Sequence, residues 1–147
     1  TTYIHPGSKL GVMLEINCET DFVAKTDAFQ SLCKDIAMHI AAAAPVSVSK
    51  DEISKSVLSK EREIYAEQAK ASGKPDEIVN KMVEGRMDKF CKENALLEQQ
   101  FVKDPNTTVK EVLTDTIAKL GENISIARFM RFQLGETIST SNKDNSE

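Results

Sequence analysis

Between Lys9 and Cys18 apolar and polar positions alternate, with Leu10, Val12, Leu14, Ile16 and Cys18 on one parity and Gly11, Met13, Glu15 and Asn17 on the other. A period of two predicts a half-buried strand with its apolar face inward. The period changes at Asp27. Phe29, Leu32, Cys33, Ile36, Ala37, Ile40, Ala41 and Ala44 recur at three and four residues, which is one stripe of an amphipathic helix. Asp27 and Gln30 have the spacing of its capping box, as N-cap and third helical residue. Ala44-Pro45 stops the pattern, and Val46-Ser-Val-Ser (46–49) is a short β-prone piece that suits a second strand.

Ser49 and Glu52 repeat the capping-box spacing, and Ile53, Val57, Leu58, Ile64, Tyr65 and Ala69 continue a long, highly charged helix. Gly73-Lys-Pro then supplies a terminating glycine and a proline suited to the first turn of another helix, which carries Ile78, Val79, Met82, Val83 and Phe90. So short a link returns the second helix antiparallel, and residues from about 49 to 94 read as a helical hairpin. Gly85 within it is expected to permit close packing, the alternative being a tolerated helical glycine. Leu96, Leu97, Phe101 and Val102 belong to an irregular segment that lays apolar side chains over the core and ends at the breaker Asp104-Pro-Asn.

Thr108 and Glu111 suit another helix start, followed by Val109, Val112, Leu113, Ile117 and Leu120, with Gly121 as C-cap. Ile124 to Leu134 is rich in β-formers and reads as the last strand, beside the first, with a bulge near Ala127 to Phe129 where the alternation slips. The predicted class is α+β: a small three-stranded antiparallel sheet packed with helices, plus a long antiparallel helical hairpin. Residues 1–136 are expected to form one domain, and the polar stretch 137–147 a disordered tail.

At 147 residues the chain is long enough to bury one sizeable core. Its formal charge of −4, with lysines and arginines spread through the helices, offers no broad basic footprint and argues against direct nucleic-acid binding. The three cysteines are odd in number and form no C-x-x-C pair, which fits reduced core thiols and a reducing compartment better than disulfides or zinc. No apolar run approaches the ~20 residues of a membrane span, and residues 1–10 lack the features of a signal peptide. A soluble, intracellular protein is expected. The opening residue is Thr1 rather than Met, which suggests processing or truncation upstream.

The stretch Cys18-Glu-Thr-Asp-Phe-Val-Ala-Lys (18–25) sets an acidic and an aromatic residue side by side where the first strand stops. Asp21 and Phe22 fall in the bend between strand and helix, a position where rigidly held loops often carry contacts. Periodicity alone favours the reading in which Phe22 tucks back into the core while Asp21 caps a short turn. His39 points away from the Ile36/Ile40 stripe and lies four residues from Asp35, which suits a surface histidine with an acid neighbour. Met38 and His39 are candidate partner contacts, or an ordinary exposed helix face. No Ser/His/Asp set, H-E-x-x-H pattern, metal-ligand spacing or G-x-x-x-x-G-K-[ST] loop is present, so no catalytic residue, metal or cofactor is assigned, and an enzyme is not expected.

The run Gly-Val-Met-Leu-Glu-Ile-Asn-Cys-Glu-Thr-Asp-Phe-Val-Ala-Lys (11–25) closely resembles the signature of bacterial-type elongation factor Ts, the exchange factor of elongation factor Tu. Collinear matches follow in Ile-Ala-Met-His-Ile-Ala-Ala (36–42), Gly-Lys-Pro (73–75) with Lys-Met-Val-Glu-Gly-Arg-Met (81–87), Gln-Phe-Val-Lys-Asp-Pro (100–105) and Arg-Phe-Gln-Leu-Gly-Glu (131–136). The resemblance covers roughly residues 3–136. It implies a guanine nucleotide exchange factor in translation elongation, in the bacterial cytoplasm or an organelle matrix or stroma. Its exchange loop would be Thr20, Asp21, Phe22 and Val23, with Phe22 wedging into the GTPase and Asp21 contacting the same region. A secondary surface would involve Ile36 to Ile40, including Met38 and His39, and the C-terminal strand.

The resemblance has two departures. Family members usually begin with a small helical module that grips the GTPase, and this chain starts after the place where it would end. Longer members carry two related core subdomains, whereas one strand–Thr-Asp-Phe unit is present here. A sheet covered on one face only would gain from a second copy, so a homodimer is expected. The competing class is a helical-hairpin adaptor without exchange activity.

Overall fold

The computed structural model describes residues 1–136. Strands β1 (Thr2–Ile4), β2 (Leu10–Asn17) and, from the far end of the chain, β5 (Ser125–Gln133) form an antiparallel sheet in the order β1-β2-β5. The four-residue helix α1 (Asp21–Ala24) and the longer α2 (Asp27–Ala43) follow β2. α3 (Lys55–Lys70) and α4 (Asp76–Asn94) come next, then the short strands β3 (Gln100–Phe101) and β4 (Asp104–Thr108), then α5 (Val109–Leu120). The α+β class holds, with a second, two-stranded sheet β3-β4 beside the expected three-stranded one.

The alternation in β2 does what the period implies. Val12 and Leu14 are buried against α2, whose Ile36, Ala37 and Ile40 are fully enclosed. Leu96 and Phe101 close the same core from the opposite side together with Val109, the covering role expected of the apolar residues from Leu96 to Val102, although Val102 itself is exposed. The other face of the sheet stays open: Ile4, Met13, Met130, Phe132 and Leu134 are 61–72% exposed. Gly11 sits among them with the Ile4 Cδ1 only 3.0 Å from where a Cβ would stand, so glycine lets Ile4 close over β2.

The bulge in the last strand is real. Glu15 pairs with Arg128 and Ile16 with Ile126, leaving Ala127 as the extra residue. The Thr108/Glu111 capping box also forms, with the Glu111 amide donating to Thr108 Oγ1 at 3.2 Å and the Thr108 amide to Glu111 Oε2 at 2.7 Å. The Thr108 amide, with the Thr108 and Thr107 hydroxyls that also donate to the carboxylate, holds the Glu111 carboxyl below its usual range. Gly121 takes the left-handed conformation (φ 72°) that ends α5.

Other expectations are corrected. The third strand of the sheet is Thr2–Ile4, too short to show a period, and not 46–49. Residues 46–48 pair instead with 94–97: the Val46 amide donates to Asn94 O, Leu96 to Ser47 O and Leu97 to Val48 O. Helix α2 is capped by Thr26, whose Oγ1 accepts from the Phe29 amide at 3.3 Å, while Gln30 reaches back to Ala24 O. The hairpin begins at Lys55 behind the N-cap Ser54, because Lys50–Glu52 is a single 3-10 turn and the Glu52 carboxylate turns back to the Val48 amide. Asp104-Pro-Asn does not end the segment but opens β4, an edge where the missing proline N–H costs little.

Helices α3 and α4 fold back on each other around their own small cluster of Ala69, Val79, Val83 and Met87. Arg62 pairs with Glu84, and Arg86 lies 5.7 Å from the Tyr65 ring centroid. Nothing lies within 4 Å of a Cβ built on Gly85, so this glycine is not needed for close packing and is simply tolerated in the helix. The expected disordered tail, 137–147, lies outside the described residues.

Candidate functional site

The candidate loop is built from its two ends. β2 stops at Asn17, and Thr20 takes an extended conformation (φ −132°, ψ 150°) that makes it the N-cap of α1, its Oγ1 accepting from the Val23 amide at 3.3 Å. Downstream, Val23 O accepts from both the Thr26 amide (3.0 Å) and Thr26 Oγ1 (2.7 Å), which joins the end of α1 to the start of α2. Thr20 and not Asp21 thus supplies the capping oxygen.

A helical turn separates neighbours by about 100°, so Val23 and Phe22 cannot face the same way. The structure points Val23 into the core, 6% exposed, and leaves Phe22 at 81%. Phe22 does not tuck back. Burying a phenylalanine is worth roughly 1.5–3 kcal/mol, and the fold forgoes that gain at this position. Thr20 and Asp21 flank it and are also exposed. The four predicted loop residues therefore divide into one anchor, Val23, one cap, Thr20, and an exposed acidic–aromatic pair.

A carboxylate from the far end of the chain holds the loop from outside. Glu122 Oε2 accepts from the backbone amides of Glu19 and Thr20, both at 3.1 Å, and Oε1 accepts from the Thr20 hydroxyl. In return, Glu19 Oε2 accepts from the Asn123 amide at 2.9 Å. Sequence reasoning missed Glu122, and a separation of more than a hundred residues leaves no local signal for it. Only the β2-β5 register, which sets Asn17 opposite Ser125, brings the two turns together.

The second predicted pair is placed differently. His39 is fully buried, which corrects the surface reading. Its Nε2 lies 2.9 Å from Gln99 Oε1, its Nδ1 accepts from the Val102 amide at 3.2 Å, and its ring stacks on Phe101 at 5.9 Å. Val102 N–H can only donate, so Nδ1 is unprotonated and the Nε2–H donates to Gln99. Burial pushes the His39 pKa below its usual value, against the opposing pull of the Gln99 bond. Asp35, the supposed neighbour, binds Lys103 Nζ at 3.0 Å instead. Met38 beside it is half-buried.

Cys33 is buried, with burial raising its thiol pKa, and Cys18 and Cys91 are half-buried free thiols. Among the described residues, no group of three or more His, Cys, Asp or Glu side chains is disposed to hold a metal ion, and no helix is long and apolar enough to cross a membrane.

A model of the family described as Elongation factor TS matches residues 1–136. The chain is 56% identical over 143 residues to Elongation factor Ts of Geotalea daltonii, covering 97% of this chain and 66% of that protein. Against Elongation factor Ts of Carboxydothermus hydrogenoformans it is 57% identical over 142 residues, covering 97% and 65%. With that of Thermoanaerobacter pseudethanolicus the figures are 55% over 142 residues, 97% and 70%. The chain thus spans about two thirds of the length of the curated relatives it matches.

Proposed function

The chain belongs to the elongation factor Ts family, and on that premise we propose that it is a guanine nucleotide exchange factor that binds GDP-loaded elongation factor Tu and speeds GDP release during translation elongation. The observation that carries this reading is Phe22, 81% exposed on a short helix fastened at both ends. Exchange needs no covalent chemistry. A factor that binds better to a partner conformation holding nucleotide and magnesium poorly shifts the partner toward it, and linkage makes the effect reciprocal. Phe22 is the wedge, since a rigidly presented aromatic can concentrate the energy of a small interface. Asp21, its neighbour, brings a negative charge toward a site that holds an anionic nucleotide, which disfavours the nucleotide further. Val23 and Thr20 fasten the pair.

The secondary partner surface is the stretch around Ile36 to Ile40. Met38 supplies the half-exposed contact there, and buried His39 supports it from beneath by tying α2 to the β3 segment. The reading places the protein in a bacterial cytoplasm or an organelle matrix. The test is the dissociation rate of fluorescent GDP from elongation factor Tu at increasing concentrations of the chain, expected to rise to a plateau. Binding by a folded chain without acceleration would favour the hairpin-adaptor class instead.

A homodimer through the open sheet face is part of the same proposal. Ile4, Met13, Met130 and Phe132 form a contiguous exposed apolar surface on paired strands, Met13 opposite Met130 and Gly11 opposite Phe132. A second sheet laid on it would complete a two-layer sandwich. Light scattering should give a dimer for the parent and a monomer for Phe132→Glu, with circular dichroism unchanged. A parent that is monomeric at every concentration would reject the dimer.

A further inference from the structure

We infer that Glu122, with Glu19, is a positioning residue that fixes the direction of Phe22; the inference rests on the exchange reading of the loop. α1 has only four residues, too few to hold a helical conformation by its own hydrogen bonds. What holds its first turn is the Thr20 hydroxyl, whose lone pair accepts from the Val23 amide. That hydroxyl has one proton, and it goes to Glu122 Oε1, so the carboxylate orients the cap.

Two further donors, the Glu19 and Thr20 amides, converge on Glu122 Oε2, and Glu19 closes the loop from the other side onto the Asn123 amide. An ionised carboxylate accepts at both oxygens and donates nothing, which matches three donors that find no other acceptor among the described residues. Glu122 itself lies between the C-cap of α5 at Gly121 and Ile124, which is buried in the core just before β5 starts at Ser125. The line of support runs from the sheet through Glu122 and Thr20 to the first turn of α1, and ends at the exposed aromatic ring. Without it the ring samples several directions, only a fraction of which suits the partner. Apparent affinity falls by that fraction while the bound state, once reached, is unchanged.

The test titrates fluorescent-GDP-loaded elongation factor Tu with the parent chain, Glu122→Ala, Glu122→Gln and Phe22→Ala, and follows backbone amide hydrogen exchange on the same proteins. Glu122→Ala is expected to raise the half-saturating concentration about tenfold with the plateau rate retained, the signature of a lost pre-organised fraction. Glu122→Gln keeps one acceptor oxygen and should fall between. Phe22→Ala lowers the plateau, and adding Glu122→Ala to it should change little. In Glu122→Ala the amides of Glu19, Thr20 and Val23 should exchange faster while those of α2 keep their protection. An unchanged half-saturating concentration, or loop amides as protected as in the parent, would overturn the inference; loss of protection throughout α2 would also overturn it, by making Glu122 a residue of general stability. If the parent itself gives no acceleration but Glu122→Ala frees the loop amides alone, the exchange reading fails and the positioning role stands.

Discussion

Phe22→Ala is expected to remove most of the acceleration of GDP release while leaving the melting temperature and circular dichroism of the chain unchanged. The two halves of the expectation come from the same observation. At 81% exposure the ring contributes little to the core, so its truncation falls in the range of ordinary surface substitutions, about ±0.5 kcal/mol. A buried aromatic anchor at the centre of an interface is worth about 2 kcal/mol or more when truncated, which corresponds to roughly thirtyfold in the affected constant. The effect on function should therefore exceed the effect on folding several times over. Phe22→Leu, which keeps apolar volume but loses the ring, should retain part of the activity. Equal exchange by Phe22→Ala and the parent, at normal circular dichroism, would reject the wedge.

The division between Val23 and Phe22 also shows how far the sequence reaches. Alternation in β2 and the three–four stripe of α2 were legible because each is long and one face of each is buried. The bulge at Ala127 was legible because a slipped phase leaves a mark in the alternation itself. Thr2–Ile4 carried no comparable mark, since three residues cannot show a period. At the site, the motif drew attention to residues 20–23, but the alternation could not say which of Phe22 and Val23 faces inward. The helical turn imposed by Thr20 decides that.

The misreading of His39 has the same origin. A position one residue off an apolar stripe is exposed only if nothing from elsewhere covers it, and here Gln99 and Phe101 arrive from sixty residues away. Capping boxes were misplaced by a residue or more at 26–30 and 49–54 because several Ser, Thr and Asp residues competed for the role; at Thr108 the neighbouring Thr107 also competed, but only Thr108 has an acid three residues on, and its box formed. Glu122 stands at the far limit of this series. Its function depends on a register between strands a hundred residues apart, and no local pattern records it.

His39→Ala should destabilise the fold by about 3 kcal/mol, a sum of a cavity and of polar groups left without partners. The imidazole is fully enclosed, and its removal deprives the buried Gln99 Oε1 of its donor and the Val102 amide of its acceptor. Gln99 in turn donates to Glu93 O at 2.8 Å and Ala43 O at 3.4 Å, so one network ties the ends of α2 and α4 to β3. Loss of about 3 kcal/mol is a large part of the 5–15 kcal/mol by which such domains are stable. The same side chain sets a pH dependence. Its folded pKa lies below the unfolded value near 6.5, so below that pH the unfolded chain binds the proton first. The contribution is complete above pH ~6.5 and is lost as pH falls through the folded pKa, where protonation puts a hydrogen on Nδ1 facing the Val102 N–H. Urea unfolding at pH 7.5 and 5.5 should show a larger fall in stability for the parent than for His39→Ala. A variant as stable as the parent, or one with the same pH dependence, would mean that the His39–Gln99 network contributes little to holding α2 in place.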